Sequence, residues 1–131
     1  MKKGLLLSIL FFSFNVFAFS NPLRRICLEK KGQFFVTDLN QDQVAACQFD
    51  HSVVGALELV YLAQNLTSES LLNYSQRKTT CVGNVIQIKT TDDGDFKSVC
   101  HYKDGSFIDL ESLHSGRDSG QNPELNAALG L

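Results

Sequence analysis

The four cysteines, at positions 27, 47, 81 and 100, are the residues whose type and spacing speak first to chemistry. No C-x-x-C occurs, so neither a thioredoxin-like redox pair nor a zinc ribbon is encoded. An even cysteine count without that spacing reads as disulfide chemistry in an oxidising compartment. Four cysteines allow three connectivities. Cys27 to Cys47 spans 20 positions and Cys81 to Cys100 spans 19. This near-equal spacing favours Cys27–Cys47 with Cys81–Cys100, and pairs crossing between the halves stay open.

The remaining reactive side chains form no recognisable constellation. His51, His101 and His114, with Asp50, Asp104 or Glu111 near them, lack H-x-x-x-H or H-E-x-x-H spacing. Asp92-Asp93-Gly94-Asp95 lacks the register of a calcium loop and reads as a hairpin turn. No G-x-S-x-G occurs, and nothing joins a nucleophile to a base. No catalytic residue, metal ligand or cofactor site is therefore expected, and the chain is not read as an enzyme. Arg24, Arg25, Lys30 and Lys31 gather four bases within eight positions. They are the candidate binding surface, suited to an anionic partner.

The elements that must position these residues follow from hydrophobic periodicity. Gln33–Thr37 and Val44–Phe49 are β-prone around a turn at Asp38–Asp42. Asn84–Thr90 alternates with period two, Thr91–Asp95 turns, and Phe96–Tyr102 returns. Each cysteine pair then brackets a hairpin. A bridge closing such a loop stabilises by about 3 kcal/mol, which matters where each unit has a marginal core. Between the hairpins, Ser52 is expected to cap a helix through Val53, Ala56, Leu57, Val60, Tyr61 and Leu62. A second short helix takes in Leu71, Leu72 and Tyr74. Near the end, Asn122-Pro123 starts a last helical turn.

The segment before Cys27 is an address. Lys2 and Lys3 precede an apolar run from Gly4 to Phe17, closed by Val16-Phe17-Ala18. This is the pattern of a signal peptide cut after Ala18, with a cut after Ser20 (following Ala18-Phe19-Ser20) as the alternative, and it is too short for a spanning helix. Its removal takes away two lysines and no acid. Ten bases then face fourteen acids, for a net charge of −4. The acidic balance argues against a nucleic-acid partner. The mature chain is expected in the periplasm or the medium, with no transmembrane segment after cleavage.

The halves also resemble each other. After Cys47 the chain reads QFDHSVVGALEL, and after Cys100 it reads HYKDGSFIDLESL. One gap aligns Phe49 with Tyr102 and Ser52 with Ser106, an internal repeat of about 54 residues. The fold expected is α+β, a small single domain of two related disulfide-closed β-hairpin units with a connecting helix. The expected divisions are 1–18 as signal peptide, 19–66 as first unit, 67–114 as second unit and 115–131 as a flexible C-terminal tail that docks or frays.

The stretch Asn21-Pro22-Leu23-Arg24-Arg25-Ile26-Cys27 with Gly32, and Cys100, Tyr102, Asp104, Gly105 and Ser106, carry a family resemblance. They are similar to small Cys-containing bacterial envelope proteins labelled as haemolysins, whose domain has no assigned function. Lys31 stands where that family has a first Gly. Val54 or Ile108 stands where it has a further Cys, and this chain has no Trp. The resemblance implies an envelope location and supplies no catalytic residue. The expected function is a non-catalytic binding or structural protein with an envelope or extracellular protein, or an anionic surface, as partner. The alternatives are a small inhibitor of a protease or other hydrolase, inserting Asp92–Asp95 or His101–Ser106, and a membrane-damaging factor.

Overall fold

The computed structural model describes residues 21–91 and 94–131. The expected signal peptide, 1–18, and the turn residues Asp92 and Asp93 lie outside the described residues. Among those described, the elements run α1 (Pro22–Glu29), β1 (Gln33–Leu39), β2 (Asp42–Phe49), β3 (Ser52–Gly55), α2 (Ala56–Ala63), α3 (Glu69–Ser75), β4 (Asn84–Lys89), β5 (Phe96–His101), β6 (Phe107–Asp109), α4 (Leu110–Ser115) and α5 (Pro123–Leu129). The fold is α+β. The strands form one antiparallel sheet in the order β1-β2-β3-β6-β5-β4.

Both expected hairpins form. The first turns more tightly than Asp38–Asp42, because Leu39 already pairs with Asp42. Asn40 and Gln41 take φ of 52° and 76°, the left-handed pair that matches strand twist in a two-residue turn. The helix expected from Ser52 starts later. Ser52–Gly55 is the short strand β3, and α2 begins at Ala56 with Gly55 as its N-cap. Val53 and Val54 are β-branched and bury on opposite faces of the sheet, which a strand permits and a helix turn does not. At the centre Val54 pairs with Ile108, joining β3 to β6.

The sheet curls until its edge strands β1 and β4, which share no ladder, come within 8 Å. Phe35, Leu39, Val53, Ile88, Val99 and Phe107 fill the inside of the curl. The other face carries the larger core. There both disulfides, Val54 and Ile108 pack with Leu59 of α2, Tyr74 of α3 and Leu113 of α4.

Two disulfides link Cys27 to Cys47 and Cys81 to Cys100, with Cα separations of 5.6 and 5.7 Å. The first ties helix α1 to β2. Helix α1 begins as Asn21-Pro22 directs: the Asn21 side chain accepts from the Leu23 N–H at 2.9 Å, and Pro22 takes the first helical position. Gly32 follows because a Cβ there would run into Cys47 Sγ and the Phe49 ring.

Residues 115–131 do not project as a tail. Leu125 of α5 is fully buried and Ala128 nearly so, within the larger core. Tyr74 Oη donates to Asn126 Oδ1 at 2.6 Å, fixing α5 to α3.

Candidate functional site

The candidate site begins with two buried carboxylates at the join of the halves. Asp109 is the N-cap of α4: its Oδ2 accepts from Ser112 N–H at 2.9 Å and its Oδ1 from Val53 N–H at 2.8 Å. Glu58, in the first turn of α2, accepts the Phe107 N–H at 3.0 Å. Val53 and Phe107 sit beside the paired residues Val54 and Ile108. Each half thus gives a carboxylate to the central strand of the other. Burial pushes the Glu58 carboxyl up to about 7, against the backbone hydrogen bonds that favour its charge. Burial likewise raises Asp109. Gly55 is bare because a Cβ there would strike the Glu58 carboxylate folded over it.

Beside this join the β2–β3 turn places Asp50 and His51 at the mouth of the curl. His51 Nδ1 faces Asp50 Oδ2 at 3.2 Å and Nε2 faces Asn122 Oδ1 at 2.7 Å. The Asn122 amide nitrogen reaches Ser112 O, Ser115 Oγ and Gly116 O, which fixes its oxygen toward His51. Both ring nitrogens therefore meet acceptors, and the imidazolium satisfies both. Burial opposes that charge, but the bonds to Asn122 and Asp50 and the nearby Glu111 and Asp109 outweigh it, so the pKa lies above 6.5. Lys97 of β5 donates to the His51 carbonyl at 2.8 Å and lies 3.6 Å from Glu111.

Next to His51 is a polar cavity of about 460 Å³ walled by Gln48, Asp50, Thr90, Asp95, Phe96 and Lys97. A second, of about 390 Å³, lies over β1 and β4, with Val36, Thr37, Asp38 and Lys89 in its walls. Thr90 and Phe96 line both, so the two form one trench. Phe96 is 66% exposed and Val36 is 56% exposed. No family model, curated protein or solved structure matches the chain.

The basic candidates lie elsewhere. Arg24 and Arg25 are exposed on α1, and Lys30 and Lys31 close its C-terminal end, Lys31 at φ 69°. Arg25 helps line a groove against Val60 and Ala63 of α2. Of the histidines considered as ligands, His51 is committed to Asp50 and Asn122, and His114 is exposed on α4. Among the described residues, no group of three or more His, Cys, Asp or Glu side chains is placed to hold a metal ion. None of the described helices is long and apolar enough to cross a membrane.

Sequence reasoning did not find Glu58, Asp109 or Asn122 as organising residues. Asp109 carried a signal, a capping residue three positions before Ser112. Glu58 also carried one, a carboxylate in the first turn behind a glycine cap. Their partners across the join lie 56 and 49 positions away, where no local pattern points.

Proposed function

We propose that the protein is an exported, non-catalytic binding protein of the bacterial envelope or medium. One observation carries the reading. A frame stapled by two disulfides leaves Phe96, Val36 and Val85 exposed on its hairpins rather than in its cores. Large apolar side chains that a rigid domain does not bury are common at partner-binding surfaces. The disulfides fit an oxidising, extracytoplasmic compartment, and the leader-like segment supports the periplasm or medium.

The two hairpin units are, in this reading, copies of one ancestor. Cys47 pairs with Val54 and Cys100 with Ile108, and Val54 pairs with Ile108, which supports equivalence through the join. Similarity to the envelope proteins labelled as haemolysins belongs to the same proposal. The basic helix α1 is a further surface for an anionic partner.

A second reading, a hydrolase inhibitor, is favoured by the turn after β5. Asp104 accepts from Ser106 N and Oγ and from Glu69 N, and Tyr102 N donates to Ser106 O. These bonds hold exposed Lys103 and Gly105 on a braced loop.

Photo-crosslinking groups at positions 24, 96 and 103, exposed to envelope and secreted proteins, test the proposal. One discrete adduct, competed by unlabelled protein, is expected. Inhibition of a hydrolase in a panel, abolished by changing Lys103, would move the account to the second reading. Dye release from liposomes would move it to membrane damage. No adduct from any of the three sites would overturn the binding reading.

A further inference from the structure

Helix α2 is apolar on both sides. Its sequence, ALELVYLA, holds one charge, and that charge is the buried Glu58. Leu59 faces the larger core, while Leu57 and Tyr61, one turn apart on the opposite side, are 44% and 37% exposed. Leu66 continues the line at 52% exposure, its N–H donating to Tyr61 O at 2.8 Å. A surface helix ordinarily presents charged or polar residues to water. The grooves on either side of α2 repeat the pattern. One runs against α3 and α5 and is lined by six leucines and three hydroxyl side chains. The other runs against α1, where Arg25 and Glu29 are the only charged side chains in the lining.

The distribution of charge says what covers this surface. Helices α1 and α2 lie side by side, each burying one side in the larger core, through Cys27 and Leu59. Their exposed sides therefore form one surface. Arg24, Arg25 and Leu28 are exposed on its α1 side, and Lys31 lies just past the end of that helix. Arg24 and Arg25 stand near the N-terminus of α1, where the helix dipole favours acids, so the helix itself does not call for them. Four bases against Glu29 give residues 21–32 a net charge of +3, so a mature chain of −4 leaves −7 on the remainder. That asymmetry turns the α1–α2 side toward an anionic surface and the acidic body away from it. A soluble polyanion would match the bases and leave the leucines in water. A second copy would bring two basic flanks into one interface, with Glu29 the only carboxylate side chain in the lining to oppose them. An anionic bilayer matches both features, because apolar side chains enter the acyl boundary while bases stay among the headgroups.

We propose that the α1–α2 face docks peripherally on an anionic lipid bilayer, with Leu28, Leu57, Tyr61 and Leu66 at the acyl boundary and Arg24, Arg25 and Lys31 among the phosphates. The inference rests on the export and binding reading and names the anionic partner of α1.

The test is co-sedimentation of the exported, disulfide-bonded protein with vesicles of phosphatidylcholine, with and without roughly a third phosphatidylglycerol. Binding to the mixed vesicles alone is expected, weakening as salt rises and releasing no trapped dye. Arg24→Glu, at a position where an acid suits the helix start, should weaken it at least about tenfold. L57Q/Y61Q, with wild-type melting retained, should weaken it about tenfold. No binding at about 1 mM lipid, equal binding to both kinds of vesicle, or binding unchanged in either variant would overturn the inference. A dimer in light scattering that L57Q/Y61Q dissociates would overturn it in favour of a second copy. If vesicles stay unbound while crosslinking captures a partner through position 96 or 103, the inference fails and the binding reading stands. If vesicles bind but no adduct forms, the reading of a protein partner fails alone.

Discussion

The two disulfides close loops of 20 and 19 positions, yet their surroundings differ. Cys27 and Cys47 are both fully buried, and the bond ties a helix to the sheet under Gly32. Cys81 precedes β4 in a loop and is only partly buried, although Cys100 is fully buried. Chain entropy predicts nearly equal stabilisation from loops of equal length. Any measured difference therefore reports the native surroundings. Both bridges belong to the larger core, but the first is wholly enclosed, whereas the second leaves Cys81 partly exposed beside a hairpin whose outer face stays open. Val85 and Phe96, at 56% and 66%, are the sign of that division.

The largest effect that can break this comparison comes from the bridges. C27S/C47S should lower unfolding free energy by about 4 kcal/mol and C81S/C100S by about 2–3 kcal/mol, measured by urea unfolding. Equal losses would remove the distinction between the halves.

The carboxylates at the join give the next effect. Glu58 has a folded pKa near 7 against 4.5 for the ordinary group. A raised acid stabilises fully below its unfolded pKa, and that stability is lost as pH rises through the folded value. Between pH 4.5 and about 7 the loss should reach roughly 3 kcal/mol. Glu58→Gln, an isostere of the protonated form, should flatten this slope and exceed the wild type in stability at pH 8. Asp109, also raised by burial, acts with the same sign. A wild-type curve that climbs from pH 5 to pH 8 would contradict the assignment.

His51 gives a smaller effect of the same direction. Its pKa lies above 6.5, so its clamp between Asp50 and Asn122 is complete below 6.5 and loosens as pH rises through the folded value. With the side chain 30% exposed, its removal in His51→Ala should cost about 1 kcal/mol or less at pH 6. That cost should shrink by pH 9, where the neutral ring can donate to only one of Asp50 and Asn122, and α5 amide exchange should follow it. Smallest of all, Phe96→Ala should leave stability within about 0.5 kcal/mol, since the ring is mostly in water. A larger loss would make Phe96 a core residue.

What the sequence made legible was local. Alternation in Asn84–Thr90 and the turn signals around both hairpins sufficed for four strands, because period two and turn chemistry are short-range. The near-equal cysteine spacing favoured the pairing that forms, although spacing alone left crossed pairs open. The strand β3 was hidden because Ser52-Val53-Val54-Gly55 runs straight into the apolar helix α2, and a short apolar run fits either period. Helix α1 was missed although its Asn-Pro start repeats the one read correctly at Asn122-Pro123. The two starts also work differently. Asn21 caps its own helix, while Asn122 turns its amide to His51 and the end of α4. The trench was illegible because β1, the β2–β3 turn and the β4–β5 hairpin meet there only when the sheet curls.

The most direct test of the central claim is a non-reducing peptide map with intact mass, on protein exported through its own first 18 residues. The account predicts a chain starting at Phe19 with Cys27–Cys47 and Cys81–Cys100 as its bridges. Free thiols or a retained leader would contradict export into an oxidising compartment, and crossed pairs would contradict two separately closed units.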